Sequence, residues 1–189
     1  VNVQIVVMGA SLGGLSALKV LLSGLQPKFP VPIAIAQHRH RDSRSDIIDF
    51  LQHYTSLEIR EVEDKDSLQP GQVYFAPADY HLLIEPGYLT LSTDAPVSYA
   101  RPSIDVLFES AAESYREHTV GVILTGANQD GARGAAAIKA QGGTVIVQDP
   151  RTAEGTMMPK AAISTTTADQ ILPLLDIAPY LSALCSLSR

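Results

Sequence analysis

Three residues of this chain have types and placements suited to acyl transfer: a serine, a histidine and an aspartate. Ser11 stands in Gly9-Ala10-Ser11-Leu12-Gly13-Gly14, directly after an apolar run and before a stretch with helical apolar spacing. A serine on a glycine-flanked turn at a helix start can be presented to a substrate, with the following backbone N–H groups placed to receive an oxyanion. The segment also satisfies the loose pattern Gly-x-Ser-x-Gly. His38 closes the apolar run IAIAQ, and Asp130 lies in the turn TGANQDG that follows the apolar run VGVIL. Each has a plainer reading, Ser11 and Asp130 as helix caps and His38 as a satisfied polar residue. Their joint position at three strand ends favours a nucleophile, a base and an orienting carboxylate, far apart in sequence and together in space.

Two other chemistries compete. The glycine-rich turn could be a degenerate dinucleotide fingerprint, with Arg39 taking a 2′-phosphate as in an NADP-dependent reductase. Ser11, however, occupies the place where the middle glycine of G-x-G-x-x-G admits the pyrophosphate. His38, His40 and His81 could suggest a metal, but no cysteine or carboxylate recurs at ligand spacing. The expectation is catalysis with no metal and no cofactor.

The elements that must position these residues follow from periodicity. Strands are expected at 3–8, 33–37, 120–124, 144–148 and 171–174, and helices after Gly14, at 43–53, from Ser103 to about Arg116, at 132–141, near 159–164 and from Asp176. Short runs at 73–76, 81–84 and 88–91, separated by turn-forming PADY and EPG, predict an antiparallel hairpin region. The βαβα rhythm predicts an α/β fold, a doubly wound and mostly parallel sheet with helices on both faces. At 189 residues one domain spanning 1–189 is expected, and 46% apolar with 18% charged residues is the composition of a chain that buries a core.

Charge and cysteine content narrow the class further. Fourteen basic against 20 acidic residues give a net charge of −6, and without a basic block nucleic acid is an unexpected partner. The single Cys185 permits a reducing compartment. No apolar run approaches the ~18 residues of a membrane span and the first residues lack a signal-peptide pattern, so a cytoplasmic location without membrane insertion is expected.

The segments GASLGG, IAIAQHR, PGQVYFAPADYHL, RPSIDVLFESAA, GVILTGANQDGARG and MPKAAI occur in this order from about Val3 to Leu184. Together they resemble the catalytic domain of the CheB-type chemotaxis receptor methylesterases and glutamine deamidases. The resemblance implies a hydrolase that removes methyl esters from glutamyl side chains of methyl-accepting chemoreceptors and can deamidate receptor glutamines, with the receptor's cytoplasmic helical domain as partner. It implies Ser11 as nucleophile, His38 as general base and Asp130 as the residue orienting the histidine. The order Ser, His, Asp differs from the Ser, Asp, His order of α/β-hydrolases.

From the same reading, the backbone N–H groups of Leu12 and Ala127 would meet the oxyanion, and Arg101 and Met158 would contact substrate. The substrate cleft would be rimmed by 38–44, 100–103, 127–130 and 148–159, with Arg39, Arg41, Arg101 and Arg151 as local cations. The chain departs from the family pattern at Leu12, commonly Thr; at Ala127-Asn128-Gln129, commonly Met-Gly-Asn; and at Gly155-Thr156-Met157, which lacks the familiar Phe-Gly. The alternative is a non-catalytic CheB-like docking or regulatory domain. The receiver domain that usually precedes such catalytic domains is not among these 189 residues.

Overall fold

Strands buried on both faces read as continuous apolar runs, and β1 (Ile5–Ala10) is one: all its residues are buried. Its side chains alternate between two cores, Val6, Met8 and Ala10 facing one and Ile5 and Val7 the other. The computed structural model describes residues 2–39 and 46–186. After β1 come α1 (Gly14–Ser23), β2 (Ile33–Gln37), α2 (Asp46–Gln52), β3 (Glu58–Glu61), β4 (Gln72–Phe75), β5 (His81–Glu85) and β6 (Tyr88–Ser92). The second half comprises α3 (Ile104–Tyr115), β7 (Thr119–Ile123), α4 (Ala132–Ala140), β8 (Thr144–Gln148), α5 (Met157–Thr165), β9 (Gln170–Leu172) and α6 (Leu174–Ser186).

Among the described residues, seven strands form a parallel sheet in the order β3-β4-β2-β1-β7-β8-β9, and β5 and β6 form a separate antiparallel pair. Helices α1, α2 and α6 pack one face of the sheet; α3, α4, α5 and the β5–β6 pair lie on the other. The expected α/β architecture is therefore present. Two details differ. The run at 73–76 belongs to the parallel sheet as β4 beside β2, so the hairpin is confined to β5 and β6. Edge strand β3, with the polar sequence EIRE, was not expected, because an edge strand needs no apolar run to be stable in a sheet. Of the expected helix at 43–53, residues 43–45 lie outside the described residues and the rest is α2.

The chain leaves β1 to β2 on one side and returns to β7 on the other. Between β1 and β7 the winding direction reverses, and a crevice opens beyond the carboxyl ends of the strands, where ligands of open α/β sheets bind. Ser11 follows β1, His38 follows β2 and Asp130 follows β7, so the topology carries all three to one place.

Helix α3 forms one wall of that crevice. The side chain of Ser103 accepts from the Val106 N–H at its start, and Phe108 is fully buried against Gly121 of β7 and Gly134 of α4. Truncating Phe108 leaves a cavity between the sheet and two helices that backbone glycines cannot fill. Phe108→Ala is expected to cost about 3–5 kcal/mol, measured as a lower denaturant midpoint with unchanged slope.

Candidate active site

Ser11, His38 and Asp130 form one hydrogen-bonded chain. Asp130 Oδ2 lies 2.6 Å from His38 Nε2, and His38 Nδ1 lies 3.1 Å from Ser11 Oγ. The carboxylate can only accept, so Nε2 carries the proton and Nδ1 presents its lone pair to the serine hydroxyl. This ring orientation is the reverse of the serine-protease arrangement, in which Nε2 faces the nucleophile. The chemical capacity is the same.

Asp130 is held by more than the histidine. Oδ1 accepts from the Ser103 hydroxyl at 3.0 Å and the Asp105 N–H at 2.9 Å, and Oδ2 also accepts from the Ile104 N–H at 2.7 Å. The first turn of α3 thus spends its unpaired N–H groups on this carboxylate. Burial works against the Asp130 charge, but the bonds from His38, Asp105 and Ile104 outweigh it and hold the carboxyl below its usual range. Asp105 lies beneath it and caps α4 through Gly131 N–H at 3.0 Å and Gly134 N–H at 2.7 Å. Burial raises the Asp105 carboxyl above its usual range, the Gly134 N–H opposes this, and the Asp130 charge adds to it.

The turn carrying Ser11 is clamped from both sides. The Ser11 N–H donates to Thr125 O at 2.9 Å, and its carbonyl accepts from Gly14 N–H at 2.8 Å and from Gln37 Nε2 at 3.0 Å. The Thr125 hydroxyl donates to Leu12 O and accepts from Gly155 N–H, both at 2.7 Å. Gly13 takes φ +76, and a Cβ on Gly126 would strike the Met158 sulfur and come 3.0 Å from Ser11 Cβ. Both glycines are required where they stand, one by conformation and one by close approach. Among the described residues, the Leu12 and Ala127 N–H groups have no protein acceptor.

Residues 6–181 match the family model described as CheB methylesterase. The chain is 45% identical over 178 residues to a Leptospira interrogans protein provisionally named protein-glutamate methylesterase/protein-glutamine glutaminase, covering 94% of this chain and 92% of that one. It is 40% identical to the Anaeromyxobacter dehalogenans protein-glutamate methylesterase/protein-glutamine glutaminase 2, covering 93% of this chain but 52% of the relative. The crystal structure of the Thermotoga maritima CheB methylesterase catalytic domain superimposes with a TM-score of 0.92 at 36% identity, over 97% of this chain and all of that one.

The chain belongs to the CheB methylesterase family. It spans nearly the whole Leptospira protein and about half of several longer CheB relatives.

Not every residue expected to serve a CheB site lies where it could. Met158 is a correction: it is 1% exposed and packs beneath Gly126 in the core, while its neighbour Met157 is 49% exposed. The helical phase of α5 turns the second methionine inward. Arg101 does line a cleft of about 290 Å³ with His38, Arg39, Asp79, Pro96, Tyr99 and others. Its guanidinium is committed, however, to Asp79 at 2.7 Å and to the carbonyls of Thr93 and Asp94 at 2.9 and 3.1 Å. Arg39 is buried against Glu61 and Arg151 is paired with Asp149, so these expected cations are largely neutralised; Arg41 lies outside the described residues. His81 accepts from Ser103 N–H and faces Ala95 O, a structural role, and His40 lies outside the described residues.

Four supporting residues of this CheB-type site were missed from sequence: Gln37, Asn128, Thr125 and Asp105. Asn128 carried a signal, since asparagine two residues before a turn's end is an Asx-turn former. Asp105 sits in the first turn of its own helix, and its side chain also caps the neighbouring one.

The raised Asp105 carboxyl predicts a pH-dependent stability. A folded-state pKa above the unfolded one contributes stability fully below the unfolded pKa and loses it as pH rises through the folded pKa. Asp105→Asn keeps an acceptor for the Gly131 and Gly134 N–H groups and removes the charge. Its melting temperature should exceed the parent's at about pH 8 and lose that margin at about pH 4.

Proposed function

We propose that this chain is a serine hydrolase that removes methyl groups from glutamyl methyl esters of chemoreceptors and deamidates receptor glutamines. The observation that carries the reading is the Asp130–His38–Ser11 chain, with distances of 2.6 and 3.1 Å, at the strand-end crevice of a CheB family member. In acylation, Ser11 Oγ bonds to the γ-carbonyl carbon as its proton passes to His38 Nδ1, and the carbonyl electron pair moves to oxygen. Asp130 stabilises the imidazolium through Nε2 and remains ionised. The unpartnered Leu12 and Ala127 N–H groups supply donors for the oxyanion, with the positive end of α1 behind the first. Collapse breaks the C–O bond and the imidazolium proton leaves with methanol, or breaks the C–N bond and leaves with ammonia. Water then bonds to the acyl carbon, giving a proton to His38; the bond from that carbon to Ser11 Oγ breaks, the imidazolium returns the proton to Oγ, and glutamate is released. The ester and amide substrates therefore yield one product.

The receptor as partner finds support in the shape of the rim. Ser98 and Tyr99 both take positive φ, 49° and 64°, in a two-residue turn closed by Val97 and Ala100. The turn holds Tyr99 fully exposed at the mouth of the cleft beside His38. Leu12 and Met157, about half exposed, present further apolar surface near the nucleophile turn. With a net charge of −6 and its nearby arginines paired, the domain has little electrostatic pull on an acidic receptor helix, so apolar contacts carry docking. Arg101 shapes this rim by tying residues 93 and 94 to Asp79. The assembled triad favours the enzyme over a non-catalytic docking domain.

Methanol release from methylated receptor tests the reading: Ser11→Ala should reduce turnover by a factor on the order of 10⁶ without loss of fold. Methanol release at the parent rate from that variant rejects it. Tyr99→Ala should raise KM for intact receptor about fivefold or more, while leaving hydrolysis of a small ester within about twofold. Equal effects on both substrates would remove Tyr99 from docking.

A further inference from the structure

A fourth side chain touches the reacting atoms. Asn128 Nδ2 lies 3.2 Å from Ser11 Oγ and 3.2 Å from His38 Nδ1, so the three atoms form a nearly equilateral triangle. Which end of the amide faces the serine is set by the backbone: Asn128 Oδ1 accepts from the Asp130 N–H at 3.0 Å, an interaction the NH₂ end could not make. The donor end is therefore aimed at the nucleophile and the base. Asn128 is half-buried.

The lone pair on His38 Nδ1 has room for one good donor, and the serine O–H and the Asn128 N–H both lie within reach of it. The arrangement that satisfies all three groups sends the serine proton to Nδ1 and the amide proton to Oγ. Oγ then donates once and accepts once, and its remaining lone pair is left for the substrate carbonyl. As the proton departs to His38, charge builds on Oγ, and a fixed neutral donor stabilises it without reorganisation.

We propose that Asn128 is a catalytic residue of this enzyme, its side-chain amide donating to Ser11 Oγ to orient the hydroxyl and support its deprotonation. The inference rests on Ser11 being the nucleophile. It assigns to one residue two separable jobs: Oδ1 holds the turn that carries Asp130, and Nδ2 serves the reaction.

Substitutions can separate them. Asn128→Ser and Asn128→Asp both retain an oxygen able to accept from the Asp130 N–H, as the asparagine does, and both lose the amide donor. With the whole chain, both variants should keep the parent's melting temperature and lose about tenfold or more in kcat on methylated receptor, with KM within about twofold. Labelling of Ser11 by a fluorophosphonate, which reads attack by the hydroxyl with no receptor present, should slow by the same factor. A loss of less than about tenfold in kcat or labelling for Asn128→Ser leaves the amide as a turn cap only and overturns the proposal. A loss confined to Asn128→Asp does the same, since the added charge then accounts for it. Ser11→Ala, measured alongside, keeps the two ideas apart: turnover near the parent rate there sinks the nucleophile assignment, whereas a Ser11→Ala reduced on the order of 10⁶-fold beside an active Asn128→Ser sinks only the role of Asn128.

Discussion

The buried carboxylate of Asp130 is the point from which the site is built. A charge in that position is tolerable only if its oxygens are fully engaged, and they are engaged by the Ser103 hydroxyl, two backbone N–H groups of α3 and His38. Because three of these four donors belong to one helix start, the carboxylate fixes the position of α3 against the β7–α4 turn while it fixes the histidine ring. Catalytic geometry and domain packing share the same bonds. Neutralising the carboxylate as an amide would leave an NH₂ group facing a backbone N–H whichever way it turned, so the position demands an acid on structural grounds too.

Beneath it, Asp105 extends the same logic by one layer. Its backbone N–H supports Asp130, and its side chain satisfies the start of α4. Burial disfavours the charge on both carboxyl groups; at Asp130 the bonds from His38, Asp105 and Ile104 outweigh it and lower the carboxyl, while at Asp105 burial prevails, with the Asp130 charge adding to it. The lower group is the one bonded to the histidine, which keeps the charge where an imidazolium must be stabilised.

Much of this was legible in the residues because local and global signals agree. Continuous apolar runs mark the central strands, their ends deliver Ser11, His38 and Asp130, and Ser103 announces the start of α3 by its capping chemistry. What escaped notice depends on partners distant in sequence. Asn128 points its amide at Ser11, Gln37 supports the Ser11 carbonyl and Thr125 bridges Leu12 to Gly155, and none of these pairings has a local pattern. Met158 was expected to contact substrate; the rotation of α5 against Gly126 buries it instead. The arginines were counted as charges, but their neighbours Glu61, Asp79 and Asp149 cancel them.

The place where the sheet reverses its winding has one more effect. Ser11 sits on the strand common to both halves, His38 arrives from the β2 half and Asp130 from the β7 half. The imidazole is thus a strut across a seam, tied at 2.6 Å to the opposite bank. Parting the banks by about 1 Å would cost on the order of 100-fold in rate while leaving every strand pairing intact. Whatever presses on the walls of the crevice, α3 among them, acts on the enzyme as a vice acts on its jaws, and the throughput of the domain becomes a gauge of how firmly the two halves are held together.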